Sequence, residues 1–482
     1  MLNTRPNPDK VEPALTPAEA YAQWLVNTGS DWSEGALESA HRELIDTVAV
    51  MLPGAREPAS RIALQSLLAW CGSDAPAQAN VVGREGSLPT PWAALVNGTA
   101  SHALDFDDNF DPPKAHASTV LYPAILAVAD TEHLSGQAVL DAYIVGLQIM
   151  GRVGQGVNPT HRNRGWHATA TVGVFGAAAA AARLLQLTVA QSAHALSLAS
   201  SLSAGFMSQF GTMAKPLHAG LAAKGGIMAA YFARQGMEAG RHTLDGPHGM
   251  NTLMVGPDRE ELKQGLSGAE HGQTLSFVTE NVGEPLLITR YGFRVKRFPN
   301  CGSAHRAMDL LLDLMAAHEL GADDIREIEV HAPAVHLNNL FYPAPETGLQ
   351  AKFSMEYALA CLLQHGRCGL QDFTDAAVGD ALVRRHFPKI RRFPVARLES
   401  ECPTRLVLHT FSGEHHEALA QMPKGSIAAP FSNAQYWQKY QECVTDLLSA
   451  SQSDALAAAL QAFPTLSAST DMTRLFALTF QG

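Results

Sequence analysis

Three aspartates, Asp105, Asp107 and Asp108, fall within four residues in the stretch Ser101-His-Ala-Leu-Asp-Phe-Asp-Asp-Asn109. His102 precedes them, and Asp111, Lys114 and His116 follow at once. Carboxylates packed this closely shift one another's pKa values, and perturbed groups concentrate at functional sites. The flanks, NGTASHAL before and STVLYPAILAVAD after, are apolar, whereas a solvated acidic run is normally bordered by more charge. The pattern therefore reads as an active-site loop between two apolar helices; the plainer reading is a helix cap and surface turn. DFDDNFD also offers oxygens to a hard cation, but its spacing lacks the calcium-loop pattern, and no metal is expected.

Three further groups carry chemistry. His167 stands in GWHATATVG, before an alanine-rich helix, where the positive end of the helix dipole favours a neutral imidazole able to act as a base; the alternative is a capping histidine. Lys215 lies in FGTMAKPLHAGLAAKGGIMAA, an apolar, glycine-rich stretch where a lone ammonium needs an anionic partner or solvent. With His218 nearby and a helix starting near Pro216, an anion site competes with a lysine whose head snorkels to water. In FRVKRFPNCGSAHRAMD, Arg294, Lys296 and Arg297 precede a turn that opens a helix containing His305, a suitable receptor for a carboxylate unless it is a charged edge strand. Cys301 in that turn reads as a small buried thiol before it reads as a nucleophile.

The elements that must position these groups change character along the chain. From about Thr16 to Gly240 the apolar spacing is helical, and the run Ala177–Ala182 predicts close helix packing. After about Glu284, ITRYGFRVKRFP, REIEVHAPA and TRLVLHTFSGEHHEAL read as strands, with helices HRAMDLLLDLMAAHEL and SMEYALACLLQHG between them. The expectation is a mainly α protein. A large all-helical domain spans 1–284 and is completed by C-terminal helices of 428–482, with a smaller α+β domain at 285–427.

With 482 residues, 46% hydrophobic and 17% charged, the chain is long and apolar enough for more than one buried core. A net charge of −11 argues against nucleic acid and anionic membrane surfaces, while leaving room for a cationic cleft and an anionic small substrate. The six cysteines never form a CxxC pair, no signal-like core opens the chain, and no apolar run is long enough to span a bilayer. A cytoplasmic location is expected. The P-loop, HExxH and GxSxG signatures are missing.

Taken in order, NGTASHALDFDDNF…HASTVLYPAILAVAD, GWHATATVGVFGAAAAAARLL, KPLHAGLAAKGGIMAA, KRFPNCGSAHRAMD and YPAPETGLQAKFSMEYALACLL resemble the MmgE/PrpD family over nearly the whole chain. That family includes 2-methylcitrate dehydratase, cis-aconitate decarboxylase and iminodisuccinate epimerase. The resemblance implies a helical domain with an α+β lid, a homodimer, no nucleotide or flavin cofactor, and a small di- or tricarboxylate substrate. It also implies roles for Asp105, first aspartate of the DFDD block, and for His116, His167, Lys215 and Lys296. Tyr342 falls near a tyrosine that lines the decarboxylase pocket. Two departures weigh against decarboxylation of cis-aconitate. The loop closed by His116 is one residue longer, with Ala117 replacing a proline, and Cys301 stands where the decarboxylase has a histidine.

The family reactions share one hard step, making or protonating a carbanion beside a carboxylate, which cations and hydrogen bonds ease by stabilising the spreading charge. On this reading Lys215, Lys296 and Arg294 bind substrate carboxylates, His167 or His116 moves the proton, and Asp105 orients its neighbour. Cys301 and His305 complete the binding wall. The favoured activity is a hydro-lyase dehydrating a 2-methylcitrate-like hydroxy acid. Epimerisation of an iminodisuccinate-like acid and a cis-aconitate-type decarboxylation are the enzymatic alternatives, and a non-catalytic carboxylate-binding paralogue is the alternative of another class.

Overall fold

The computed structural model describes residues 14–71, 78–256, 275–397 and 402–477. Parts of the expected helical domain, including the proline-rich stretch to residue 13 and residues 257–274, lie outside the described residues. The protein is mainly helical, with a smaller α+β part.

Helix starts are set by local chemistry. Thr16 and Glu19 form a reciprocal capping box on the helix Pro17–Asn27, and Thr188 and Gln191 do the same for Val189–Ser200. Ser33 and Ser135 cap Glu34–Gly54 and Gly136–Gln155, each such cap stabilising its helix by about 1 kcal/mol. Small residues then let the helices approach closely. Ala177 to Ala182 are all buried on the helix Gly173–Leu184. A side chain at Gly98 would sit 2.9 Å from the Gly220 Cα, so the helices Thr90–Ala103 and Ala214–Arg234 cross backbone to backbone.

Two separate hydrophobic clusters form. The first runs from Ala18 to Val295 and resumes at Phe431, so the helices Asn433–Val444 and Ala450–Ala462 pack with the N-terminal helices. The second, within Phe298–Leu408, lies between the helices His305–Ala317 and Met355–His365 and one face of a four-stranded sheet. In spatial order the strands are Ile390–Val395, Ile325–Pro333, Thr404–Thr410 and His415–Ala420. The first pair is parallel, with Ile328 opposite Ile390, and the other two pairs are antiparallel, with Val330 opposite Leu406. Ile328, Val330, Leu406 and Leu408 alternate inward, as a half-buried sheet requires.

The stretch ITRYGFRVKRFP departs from its strand-like pattern. Leu287–Tyr291 is a short helix that ends at Gly292, whose φ of 57° suits glycine, and the rest contributes one antiparallel bridge between Arg294 and Asn109. The alternation reflects a segment passing between the two clusters, with Val295 buried in one and Phe298 in the other. No helix among the described residues is long and apolar enough to cross a membrane.

Candidate active site

The acidic loop joins two buried helices, Thr90–Ala103 and Ser118–Glu132. Asp105 adopts φ 53°, a left-handed conformation that costs a non-glycine residue about 1–3 kcal/mol and must be held by its surroundings. Its carboxylate is buried, and Oδ1 accepts hydrogen bonds from Lys215 Nζ at 2.6 Å and Lys296 Nζ at 2.9 Å. Lys296 also donates to the Asp105 carbonyl at 2.7 Å. Burial alone would raise the Asp105 pKa, but the two ammoniums outweigh it and hold the carboxyl well below its usual 3.8. Lys296 loses affinity for its proton to burial and regains more from Asp105 and Asp107, so it stays charged. The Lys215 ammonium lies 5.4 and 5.2 Å from the ring centres of Phe210 and Phe353, a further cation–π hold. Two cations on one carboxylate leave positive charge at the base of the cleft.

Asp107 serves different partners. Its Oδ2 lies 2.9 Å from His102 Nδ1 and 3.0 Å from His116 Nδ1, and the latter nitrogen is also 2.7 Å from the Asp108 carbonyl oxygen. An Nδ1 that donates to Asp107 leaves Nε2 as the basic nitrogen of each ring. Burial pulls His116 below its ordinary 6.5 despite Asp107, and pulls the fully enclosed His102 down to about 3. The His116 amide donates to Thr169 Oγ1 at 3.1 Å, tying this loop to the segment that carries His167.

His167 caps the short helix Ala168–Thr171, which leads into the alanine-rich helix. Its Nδ1 lies 3.0 Å from His218 Nδ1, and its ring is stacked with His102 at 6.0 Å. Burial first, and Lys215 second, keep its pKa well below 6.5. The neutral imidazole expected from the helix dipole is thus produced mainly by desolvation and a neighbouring cation. His167 Nε2 and Asp105 Oδ2 are buried polar atoms without a partner, both in residues lining the cleft.

Behind the loop the charge balance reverses. Glu43 and Asp46 on the helix Glu34–Gly54 are buried with Asp108, and Lys439 is the ammonium bonded there, 2.7 Å from Asp46 Oδ1. Burial, reinforced by Asp107 and Asp46, pushes Asp108 up to about 8; burial and Asp108 raise Glu43 well above 4.5. Lys439 also donates to the Phe106 carbonyl at 2.7 Å, and Lys352 to that of Ala103 at 3.1 Å. Burial lowers the Lys352 pKa to about 8.

The cleft, about 930 Å³ including its open mouth, is lined by Asp105, His116, His167, Lys215 and Lys296 together. Arg294, Cys301 and His305 line it as well. Arg294 is paired with Asp111 at 2.5 Å, and Lys114 reaches the same carboxylate at 3.6 Å. His305 Nε2 is 2.8 Å from Asn300 Oδ1, and burial and Lys296 lower its pKa to about 3, so its polarity is turned toward the turn it starts from. Tyr342 stands apart from the lining: its hydroxyl donates to the Phe210 carbonyl at 3.2 Å, supporting the ring that covers Lys215. Sequence reasoning passed over Arg162, which lines the cleft and donates to Asn339 Oδ1 at 2.8 Å across it. Its signal was the arginine-rich HRNRG just before His167. Asp107 was also undervalued, because nothing in DFDD ranks one aspartate over another.

Donor atoms of His102, Asp105, Asp107 and His116 lie within 4.8 Å of one another, close enough to surround a metal ion. The chemistry of the set disfavours one. Asp105 Oδ1 is already bonded to two ammoniums and Asp107 Oδ2 to two imidazoles, so a further cation would face Lys215 and Lys296 directly.

Comparison with known proteins places this geometry in context. Residues 19–263 match the MmgE/PrpD N-terminal domain and residues 298–463 the MmgE/PrpD C-terminal domain. The chain is 28% identical to a cis-aconitate decarboxylase of Homo sapiens over 324 residues, 65% of this chain and 63% of that protein. It is 26% identical to a cis-aconitate decarboxylase of Aspergillus terreus over 376 residues, 73% of this chain and 72% of the relative. A cis-aconitate decarboxylase-like protein of Aspergillus oryzae is 25% identical over 473 residues, 93% of this chain and 94% of its own length.

Proposed function

The chain belongs to the MmgE/PrpD family, and from that premise we propose that it is a cofactor-independent lyase acting on a small di- or tricarboxylate. One observation carries the reading. A doubly ammonium-bonded aspartate and an aspartate-anchored histidine open onto the same cleft. A substrate carboxylate placed against Lys215 and Lys296 brings its α-carbon to His116. His116 Nε2 removes the α-proton, and the charge that spreads onto the carboxylate is stabilised by the two ammoniums. Asp105 holds both ammoniums in place, and Asp107 holds His116 by Nδ1 so that Nε2 is the base.

Dehydration of a 2-methylcitrate-like hydroxy acid is the first reading, because elimination of water needs both a base and a second group for the departing hydroxyl. The cleft offers two separate histidine systems, His116 on Asp107 and His167 on His218. The negative charge of a bound polycarboxylate favours the imidazolium form of His167, whose Nδ1 then donates to His218 Nδ1 and whose Nε2 gives its proton to the leaving oxygen, returning the ring to the neutral imidazole. The names of the relatives favour a second reading, decarboxylation of a cis-aconitate-like acid. There carbon dioxide leaves, the same cations hold the carbanion charge, and one histidine returns a proton. Epimerisation by proton exchange on both faces is a further outcome of the test. The proposal includes a homodimer and a lid role for the smaller α+β part.

The deciding experiment is proton NMR in deuterated buffer with 2-methylcitrate, citrate, cis-aconitate, iminodisuccinate and a tartrate-like acid. An alkene product that keeps every carboxylate, seen as a vinylic proton from citrate or a methyl signal moved to an allylic position from 2-methylcitrate, reports elimination. A product one carboxylate poorer with deuterium incorporated reports decarboxylation, and exchange without a new product reports epimerisation. A folded protein that binds these acids yet produces no turnover or exchange would mark a non-catalytic carboxylate binder.

A further inference from the structure

Three carbonyl groups of the acidic loop, those of Ala103, Asp105 and Phe106, each accept a hydrogen bond from a different buried lysine: Lys352, Lys296 and Lys439. Only Lys296 lines the cleft. We infer that Lys352 and Lys439 are positioning residues that lock the loop backbone on either side of Asp105, and so set the places of Asp105 and Asp107. The inference rests on the proposed lyase reading for its kinetic consequence, though not for its structural one.

Asp105 needs such a lock because its left-handed backbone, φ 53°, is one that an aspartate leaves readily when nothing holds it. Ala103 is the last residue of the helix Thr90–Ala103, where unsatisfied carbonyls and the negative end of the helix dipole attract a cation. Lys352 supplies that cation from the smaller α+β part, just after the short helix Gly348–Ala351. The same segment meets the site twice more. The Lys352 carbonyl accepts the Cys301 amide at 2.9 Å, and the neighbouring Phe353 ring lies 5.2 Å from the Lys215 ammonium. Lys439 arrives from the opposite side on the helix Asn433–Val444, its ammonium fixed by Asp46 at 2.7 Å and set over the Phe106 ring at 4.2 Å. A buried ammonium needs these partners as much as the carbonyls need it, so each peg binds both ways.

The test uses the full chain with Lys352→Met and Lys439→Met, each alone and each combined with Asp105→Asn. Peptide-level deuterium exchange should rise over residues 103–110 in both lysine variants and stay unchanged over the helix Gly136–Gln155. Turnover of the acid identified by NMR should fall about 10- to 100-fold, mainly in kcat, as expected for misplaced catalytic groups. If the pegs act through Asp105, adding either lysine change to Asp105→Asn should cost no further turnover. Unchanged exchange at 103–110 in folded variants, or turnover losses that multiply with Asp105→Asn, would overturn the inference. Should a methionine variant fail to fold, Lys352→Arg or Lys439→Arg is measured in its place against the same two outcomes. If the wild type turns over none of the acids, the lyase reading fails and the exchange measurement alone decides the pegs.

Discussion

The two faces of one loop hold the same kind of residue in opposite states. On the cleft face, two ammoniums meet one carboxylate, and Asp105 is held well below 3.8. On the rear face, Lys439 is bonded to Asp46, with Glu43 and Asp108 buried nearby, and Asp108 is pushed up to about 8. Both aspartates are buried, so desolvation opposes ionisation at each. What differs is the number of cations close enough to compensate it. The front can therefore present fixed charge to a substrate, whereas the rear stores neutral acid and shapes the loop.

The largest expected effect breaks the front. Lys215→Met removes one of two cations from Asp105 and from the substrate carboxylate, and should lower kcat/KM about 1,000-fold, the scale of a lost charge-stabilising donor. A loss under tenfold in steady-state kinetics would undo the distinction between the faces. Asp107→Asn keeps the shape while removing the anion that steadies His116, and should lower kcat about 100-fold. Because Asp107 raises the proton affinity of His116, the acid limb of the pH–rate profile should move lower still. An unmoved limb would assign the base elsewhere.

Asp108→Asn probes the rear and should leave turnover within about threefold, the scale of a change outside the reacting groups. Its signature is in stability. The folded state holds a proton on Asp108 up to about pH 8, while the unfolded chain releases it near 3.8. That contribution is complete below pH 3.8 and is lost as pH rises toward 8. The asparagine variant has no proton to lose, so its melting temperature should gain on the wild type between pH 5 and 8. A constant gap would show that Asp108 is ionised. The smallest effect is at the rim. Arg294→Gln should raise KM about threefold with kcat nearly unchanged, because a 21% exposed guanidinium already paired with Asp111 is screened by solvent.

Much of this was legible in the chain. The 3.6-residue apolar period and the Ser and Thr caps specify the helices locally, and the alanine run required close packing. The nearness of His102, the aspartates and His116 was visible because a single loop carries them all. The segment around Arg294 was misread as a strand because alternation also arises where a chain threads between two cores. Lys352 and Lys439 gave no signal at all. A lysine that ends on a backbone carbonyl leaves no pattern in side-chain types.

The residue types that could do the chemistry, and the helices that carry most of them, were determined by sequence. Which aspartate is charged, which histidine nitrogen is basic and which lysines line the cleft were decided only by tertiary structure. The ammoniums that settle these matters come from positions 110, 191, 249 and 333 residues away from the loop atoms they touch. Desolvation and Coulomb attraction depend on distance through space, and for a buried carboxylate they decide between an ion and a neutral acid.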